Sequence, residues 1–346
     1  MKSKNIFALI LALTVLFTFA ACGDDEGKDR SHDDRAQNQE QEGESLLTYF
    51  VLKESISYDA EENVTQHIKV DQNEDDLPES VTVEGERGGT LSYTYTGPHT
   101  VATLDYKETD GDGAYYEFNA YGDNVKKDTY KAGVLDSTIT YTYDEGQRVI
   151  GRVHRNPNND KKDKNIAYSY KLDDGGQVIE EVEYVDGEEY YIAEMQYDDM
   201  GREIRYSSTH NGREPYIRVS EYDDSGKLIK STEYTGEVED TCTTYTYDDQ
   251  GRLLKSLTMA NGVEEAYEEY LYDDRGNVIE FSYYNDGVQR SYEYIYDENN
   301  RLIKDYYYIR GELTRYTEYT WYDQPVRLEK NMALAVQRVF SLLEEA

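Results

Sequence analysis

Residues 247–254 read YDDQGRLL, and residues 272–279 read YDDRGNVI, the same pattern 25 positions later. A chain that rewrites one short motif at a fixed interval is built from a repeated unit, and each unit must bury its apolar side against its neighbours. The aspartate after the tyrosine, or after its substitute, falls at Asp144, Asp173, Asp198, Asp223, Asp248, Asp273, Asp297 and Asp323. Asn119 lies another 25 residues upstream of Asp144 and keeps the turn character of the slot. A second glycine series, Gly133, Gly187, Gly212, Gly236, Gly262, Gly287 and Gly311, runs out of phase with the first. Each period therefore holds two turns and two strands.

Turn chemistry accounts for the letters. An aspartate bonds its own backbone two residues on, and a glycine three places later accepts the left-handed conformation that closes a short hairpin loop. Asp198 with Gly201, Asp223 with Gly226, Asp248 with Gly251, Asp273 with Gly276, and Asp297 with Asn300 are read as such turns. Asparagine at 300 fits the slot as the next-best residue at positive φ. Hairpin follows hairpin, so the expected fold is all-β: an antiparallel meander or solenoid of about nine repeats, drawn out into an elongated sheet of about 85 Å. Strict alternation along NVIEFSYYNDG places Val278 and Tyr284 on one face and Ile279, Phe281 and Tyr283 on the other.

Leu, Ile, Val and Phe make up just under a fifth of the 346 residues, and the formal net charge is −36. Those values alone describe a disordered chain. The 37 tyrosines reverse that reading, because each ring covers a half-buried strand while its hydroxyl stays hydrated or bonded. Tyr130, Tyr184, Tyr234, Tyr284 and Tyr308 sit 11 residues past the turn residue of their repeats. Tyr141, Tyr170, Tyr245, Tyr270 and Tyr294 sit three before it. In-register stacking would turn both sets into ladders of rings, and the first set forms the candidate ligand-binding surface.

With its period of about 25 residues, the YxYDxxGRLI pattern resembles the YD repeat, also called the RHS repeat, over about residues 116–325. The resemblance implies strand-turn-strand units that spiral into long β-sheets and, in large members of the family, a hollow shell. It also implies carbohydrate binding, as in some proteins of the family. A toxin-delivering shell is not implied, since about nine repeats replace the dozens of such shells, and the C-terminal stretch lacks the DPxGL core segment.

The ends divide the chain further. Lys2 and Lys4 precede an uncharged apolar run from Ile6 to Phe19, as in a secretory signal over residues 1–21. FAAC at 19–22 resembles a bacterial lipobox, with Cys22 as the lipidated residue and Phe19 where leucine is usual. Residues 22–45 are acidic and lack aromatic or branched aliphatic side chains, which makes them a solvated tether. Residues 46–115 carry degenerate strands such as SYTYTG at 92–97, and residues 116–325 the regular repeats. Residues 326–346 are expected to form a capping helix, started by Asn331, that covers the last open strand.

The reading excludes more chemistry than it suggests. Nucleic acid and anionic surfaces are poor partners for a chain of this charge. Five scattered histidines give no metal-ligand spacing, and there is no phosphate loop or nucleophile elbow. Cys242 has no partner once Cys22 carries lipid. Calcium at the paired turn aspartates is set aside because the turn already explains them. The sequence thus points to a non-enzymatic, extracytoplasmic lipoprotein without metal or cofactor, binding polysaccharide or a surface protein. An envelope assembly component and a glycan-processing enzyme are the alternatives.

Overall fold

Backbone conformation at the turns follows the residue types. The position three after each turn aspartate from Asp144 to Asp297 lies at positive φ, 85° at Gly251 and 60° at Asn300. On the opposite side of the sheet both central residues take positive φ, as at Asp286 (53°) and Gly287 (74°), the two-residue turn whose twist matches that of antiparallel strands. In a computed structural model, residues 17–19, 47–85, 88–95, 101–159, 163–324 and 326–328 are described. These residues form 24 strands, from β1 (Phe17–Phe19) to β24 (Val326–Leu328), each paired antiparallel with its neighbours.

The two ends of the meander meet. Strand β2 (Leu47–Asp59) pairs through Ile56 with His67 of β3 (Val64–Gln72) on one side, and with Glu318 of β23 (Glu312–Trp321) on the other. The 22 strands from β2 to β23 therefore form a closed antiparallel barrel of hairpins, and the elongated open sheet expected from the repeat is corrected. An open sheet leaves two unpaired edges, and closure removes both. Val326–Leu328, ahead of the expected helix start at Asn331, is a strand paired with Leu47–Tyr49. The helix expected after Asn331 lies outside the described residues, as do the tether and most of the signal.

A bulge in each repeat supplies curvature. Tyr272 pairs with Val278 and Leu271 with Glu280, so Ile279 is the extra residue of its strand. The same offset recurs at Ile204, Ile229, Leu254 and Ile303. Bulges bend the strand and increase its twist. They also correct the strict alternation: Val278 shares a face with Phe281 and Tyr283, because Tyr272 and Tyr270 opposite them share a face.

Closure draws the side chains of one face together and spreads those of the other. Along Val288–Tyr296, Tyr292, Tyr294 and Tyr296 are covered while Glu293 and Ile295 stand in solvent. The apolar core concentrates near the seam, in Val51, Leu52, Ile68, Val70, Leu104, Tyr116, Leu302 and Trp321. The degenerate strands thus hold the densest packing, whereas the regular repeats depend on hydrogen bonds and ring contacts.

Candidate functional site

The turn aspartates are already occupied. Asp248 Oδ1 accepts the N–H groups of Gln250 (2.9 Å) and Arg252 (2.8 Å), and Oδ2 accepts Arg252 Nε at 2.6 Å. Asp198, Asp223, Asp273 and Asp297 accept the two equivalent N–H groups in their own turns. Burial opposes ionisation of Asp248, but the N–H groups and the guanidinium of Arg252 together hold its carboxyl below the ordinary carboxylate range. Among the described residues no group of three His, Cys, Asp or Glu side chains is placed to hold a metal ion.

Each turn also clasps the next. The Arg252 guanidinium lies 4.5 Å from the Tyr272 ring centroid, and Arg202 lies 4.7 Å from Tyr222. The tyrosine before the aspartate reaches back across its hairpin: the hydroxyls of Tyr222, Tyr247 and Tyr272 donate to the carbonyls of Glu203, Leu228 and Leu253 at 2.7–2.9 Å. Burial pushes the Tyr296 phenol up to about 12, which keeps it a donor to Val278 O at 3.0 Å. This rim is structural machinery.

The five tyrosines proposed from sequence for ligand binding do not form one ladder. Partner strands intervene, with Ala167 opposite Tyr184, Ile217 opposite Tyr234 and Ser291 opposite Tyr308. Tyr284 stacks on Tyr267 at 5.7 Å, and the Tyr308 hydroxyl donates to Glu293 at 3.3 Å. The continuous run of rings lies instead on the covered face: Tyr270 to Phe281 (4.9 Å), Phe281 to Tyr292 (6.1 Å) and Tyr292 to Tyr307 (4.7 Å). Slots that share a number in the repeat lie two strands apart, so they do not face each other. Rings that stack on one another spend their faces internally, which makes this run a sheet-stabilising element.

Only Tyr130 of the five lines a described cavity. A space of about 340 Å³ opens among Val101–Glu108 (β6), Gly113–Phe118 (β7) and Asn124–Lys131 (β8), lined by Asp105, Lys107, Glu108, Asp112, Tyr115 and Tyr130, with Tyr106 and three glycines. Register pairs Asp105 with Tyr115, and Gly113 with both Lys107 and Tyr130, so these groups share one face. Gly113 presents no side chain between Lys107 and Tyr130, and a Cβ there would meet the Tyr106 carbonyl oxygen at 2.3 Å. Sequence reasoning missed Asp105, Lys107, Glu108, Asp112 and Tyr115, since they fall where the repeat spacing is irregular. The signal that could have found them is the doubled glycine in TDGDGAYYEF at 109–118.

Fold and site together define a repeat-built closed β-barrel with a small aromatic and acidic cavity at one rim. Residues 222–264 match the RHS Repeat family, so the chain carries the RHS repeat over that stretch. No curated protein matches the sequence. The crystal structure of TcdB2-TccC3-TEV aligns with 80% of this chain at 12% identity and a TM-score of 0.38. The alignment spans 17% of that much longer chain. A porin-like protein from Bacteroides uniformis ATCC 8492 aligns over 78% of this chain and 96% of its own, at 11% identity and a TM-score of 0.28. At such TM-scores the backbones do not superpose as one fold.

Proposed function

We propose that this chain is an exported bacterial lipoprotein, anchored through Cys22, whose barrel binds polysaccharide or a neighbouring surface protein without catalysing a reaction. The carrying observation is the cavity that holds Tyr130 beside Tyr115, with carboxylates and a lysine on the same wall. Concave sites of roughly 300 Å³ or more with a few convergent polar groups are the usual places for small ligands. The charged start, apolar run and FAAC ending support export and anchoring. Among the described residues no helix is long and apolar enough to cross a membrane.

The alternative of an envelope assembly component, docking other chains on its sheet edges, is disfavoured because β2 is paired on both sides. A glycan-processing enzyme is the weaker reading, with no motif in the sequence to support it. A glycan array probed with residues 23–346 tests the binding reading, and absence of any specific glycan signal would leave the surface-protein reading in its place. Cys22→Ser tests the anchor, since a variant that still partitions into detergent with a processed N-terminus contradicts lipidation.

A further inference from the structure

The cavity at the glycine-turn rim carries an inference about ligand chemistry that rests on the polysaccharide reading above. Its three carboxylates are only half used. Asp105 pairs with Lys107, Glu108 Oε1 accepts the Tyr106 hydroxyl at 3.1 Å, and Asp112 Oδ1 accepts the Ala132 N–H at 2.8 Å. Among the described residues, the second oxygen of each has no partner. Asp105 and Asp112 thus leave two acceptors at this space, the complement of a group rich in hydroxyl donors, whereas Glu108 alternates with Lys107 onto the Tyr106 face.

The rings complete the argument. Tyr130 has no ring or hydrogen-bond partner among the described residues, unlike Tyr284 and Tyr308, so its face is available to the cavity. Tyr115 is polarised by Lys126 Nζ at 5.6 Å from its centroid. The lining bears three carboxylates against one lysine, in a chain of formal net charge −36. A ligand that brings its own carboxylate or sulfate is therefore repelled both at the wall and at long range.

We propose that this cavity seats one sugar unit of a polysaccharide that lacks carboxylate and sulfate groups. The apolar face of the sugar rests on Tyr130, and its hydroxyl or amine groups donate to Asp105 and Asp112. Tyr184 and Tyr234, which line no described cavity, take no part.

Affinity electrophoresis of the full chain through gels containing dextran, chitosan oligomers or polygalacturonate tests this, with circular dichroism to check folding. The expected result is retardation by dextran or chitosan and none by polygalacturonate. Tyr130→Thr should weaken retardation at least about tenfold, equivalent to about 1.4 kcal/mol. Tyr130→Phe, which keeps the ring, should restore most of the retardation lost in Tyr130→Thr, and Tyr184→Thr should leave it unchanged. Retardation by a neutral glycan that survives Tyr130→Thr overturns the cavity while the polysaccharide reading stands. Preferential retardation by polygalacturonate overturns the charge argument, and no retardation by any of the three overturns this inference and the polysaccharide reading together.

Discussion

The hydroxyls of Ser57 and Thr317 share a hydrogen bond of 3.1 Å across 260 residues of chain. Both side chains are buried, 6% and 3% exposed, at the seam where β2 meets β23. Beside them Tyr58 stacks on Tyr316 at 4.7 Å, and the Tyr322 hydroxyl reaches Val70 O at 2.7 Å. Closure of the ring is thus held by contacts between the first and last strands of the barrel, at the part of the molecule that also holds its apolar core.

Thr317→Val keeps the shape of the side chain but leaves the Ser57 hydroxyl buried without its partner. We expect a loss of about 1–3 kcal/mol in urea unfolding. Small-angle scattering of the wild type should give a closed, ring-like particle, and a rod-like profile would sink the barrel.

Gly251 and Asn300 occupy equivalent turn positions at φ 85° and 60°. Gly251→Val introduces a β-branched residue where left-handed backbone is required, and is expected to cost about 1–3 kcal/mol. Its Cβ would meet the end of the Lys227 side chain at 3.0 Å, a contact that can yield, so the cost is conformational. Asn300→Gly eases the backbone but loses the bond from Asn277 Nδ2 at 3.2 Å, and should be near neutral. Equal melting-temperature shifts for the two variants would contradict this account.

Tyr247→Phe removes a hydroxyl that bonds Leu228 O at 2.7 Å, next to the bulge at Ile229. The expected cost is about 0.5–1.5 kcal/mol by chemical denaturation. Tyr234→Phe removes a hydroxyl with no partner among the described residues and should change stability little. A cost for Tyr234 as large as that for Tyr247 would assign the effect to something other than this hydrogen bond.

Two kinds of aspartate give opposite responses to acid. In the turns, hydrogen bonds and arginine hold Asp198, Asp248 and Asp297 below the ordinary value of 3.8, outweighing the burial that opposes ionisation. A carboxyl depressed in the folded state adds stability above its unfolded value, and that stability is lost as the pH falls from about 3.8 downward. Asp305 is the reverse case, pushed up by burial, with Oδ2 accepting the Tyr319 hydroxyl at 2.6 Å and Oδ1 buried without a hydrogen-bond partner. Its penalty at neutral pH disappears once both folded and unfolded states are protonated. Asp305→Asn should therefore raise the melting temperature at pH 7, by a margin that shrinks as the pH falls through the raised folded value and is gone below about 3.8. A margin independent of pH would remove ionisation as the cause.

The sequence by itself determined the hairpins, because turn geometry is local. Asp248 bonds only within its own turn, and the positive φ at Gly251 and Asn300 follows from what glycine and asparagine can adopt alone. Closure was not legible, since it depends on β2 finding β23 through Ser57, Tyr58, Thr317 and Tyr316, a pairing across some 260 residues that no repeat spacing specifies. Nor were the ring contacts: a bulge at Ile279 moves Val278 to the other face, so slots read from a strict period do not predict which rings touch. The candidate site shows the same division. Tyr130 was visible as a repeat tyrosine, but Asp105, Glu108, Asp112 and Tyr115 are gathered around it only by the pairing of β6, β7 and β8. Local backbone preference is written residue by residue, whereas register, curvature and the meeting of distant strands are settled by the whole sheet at once.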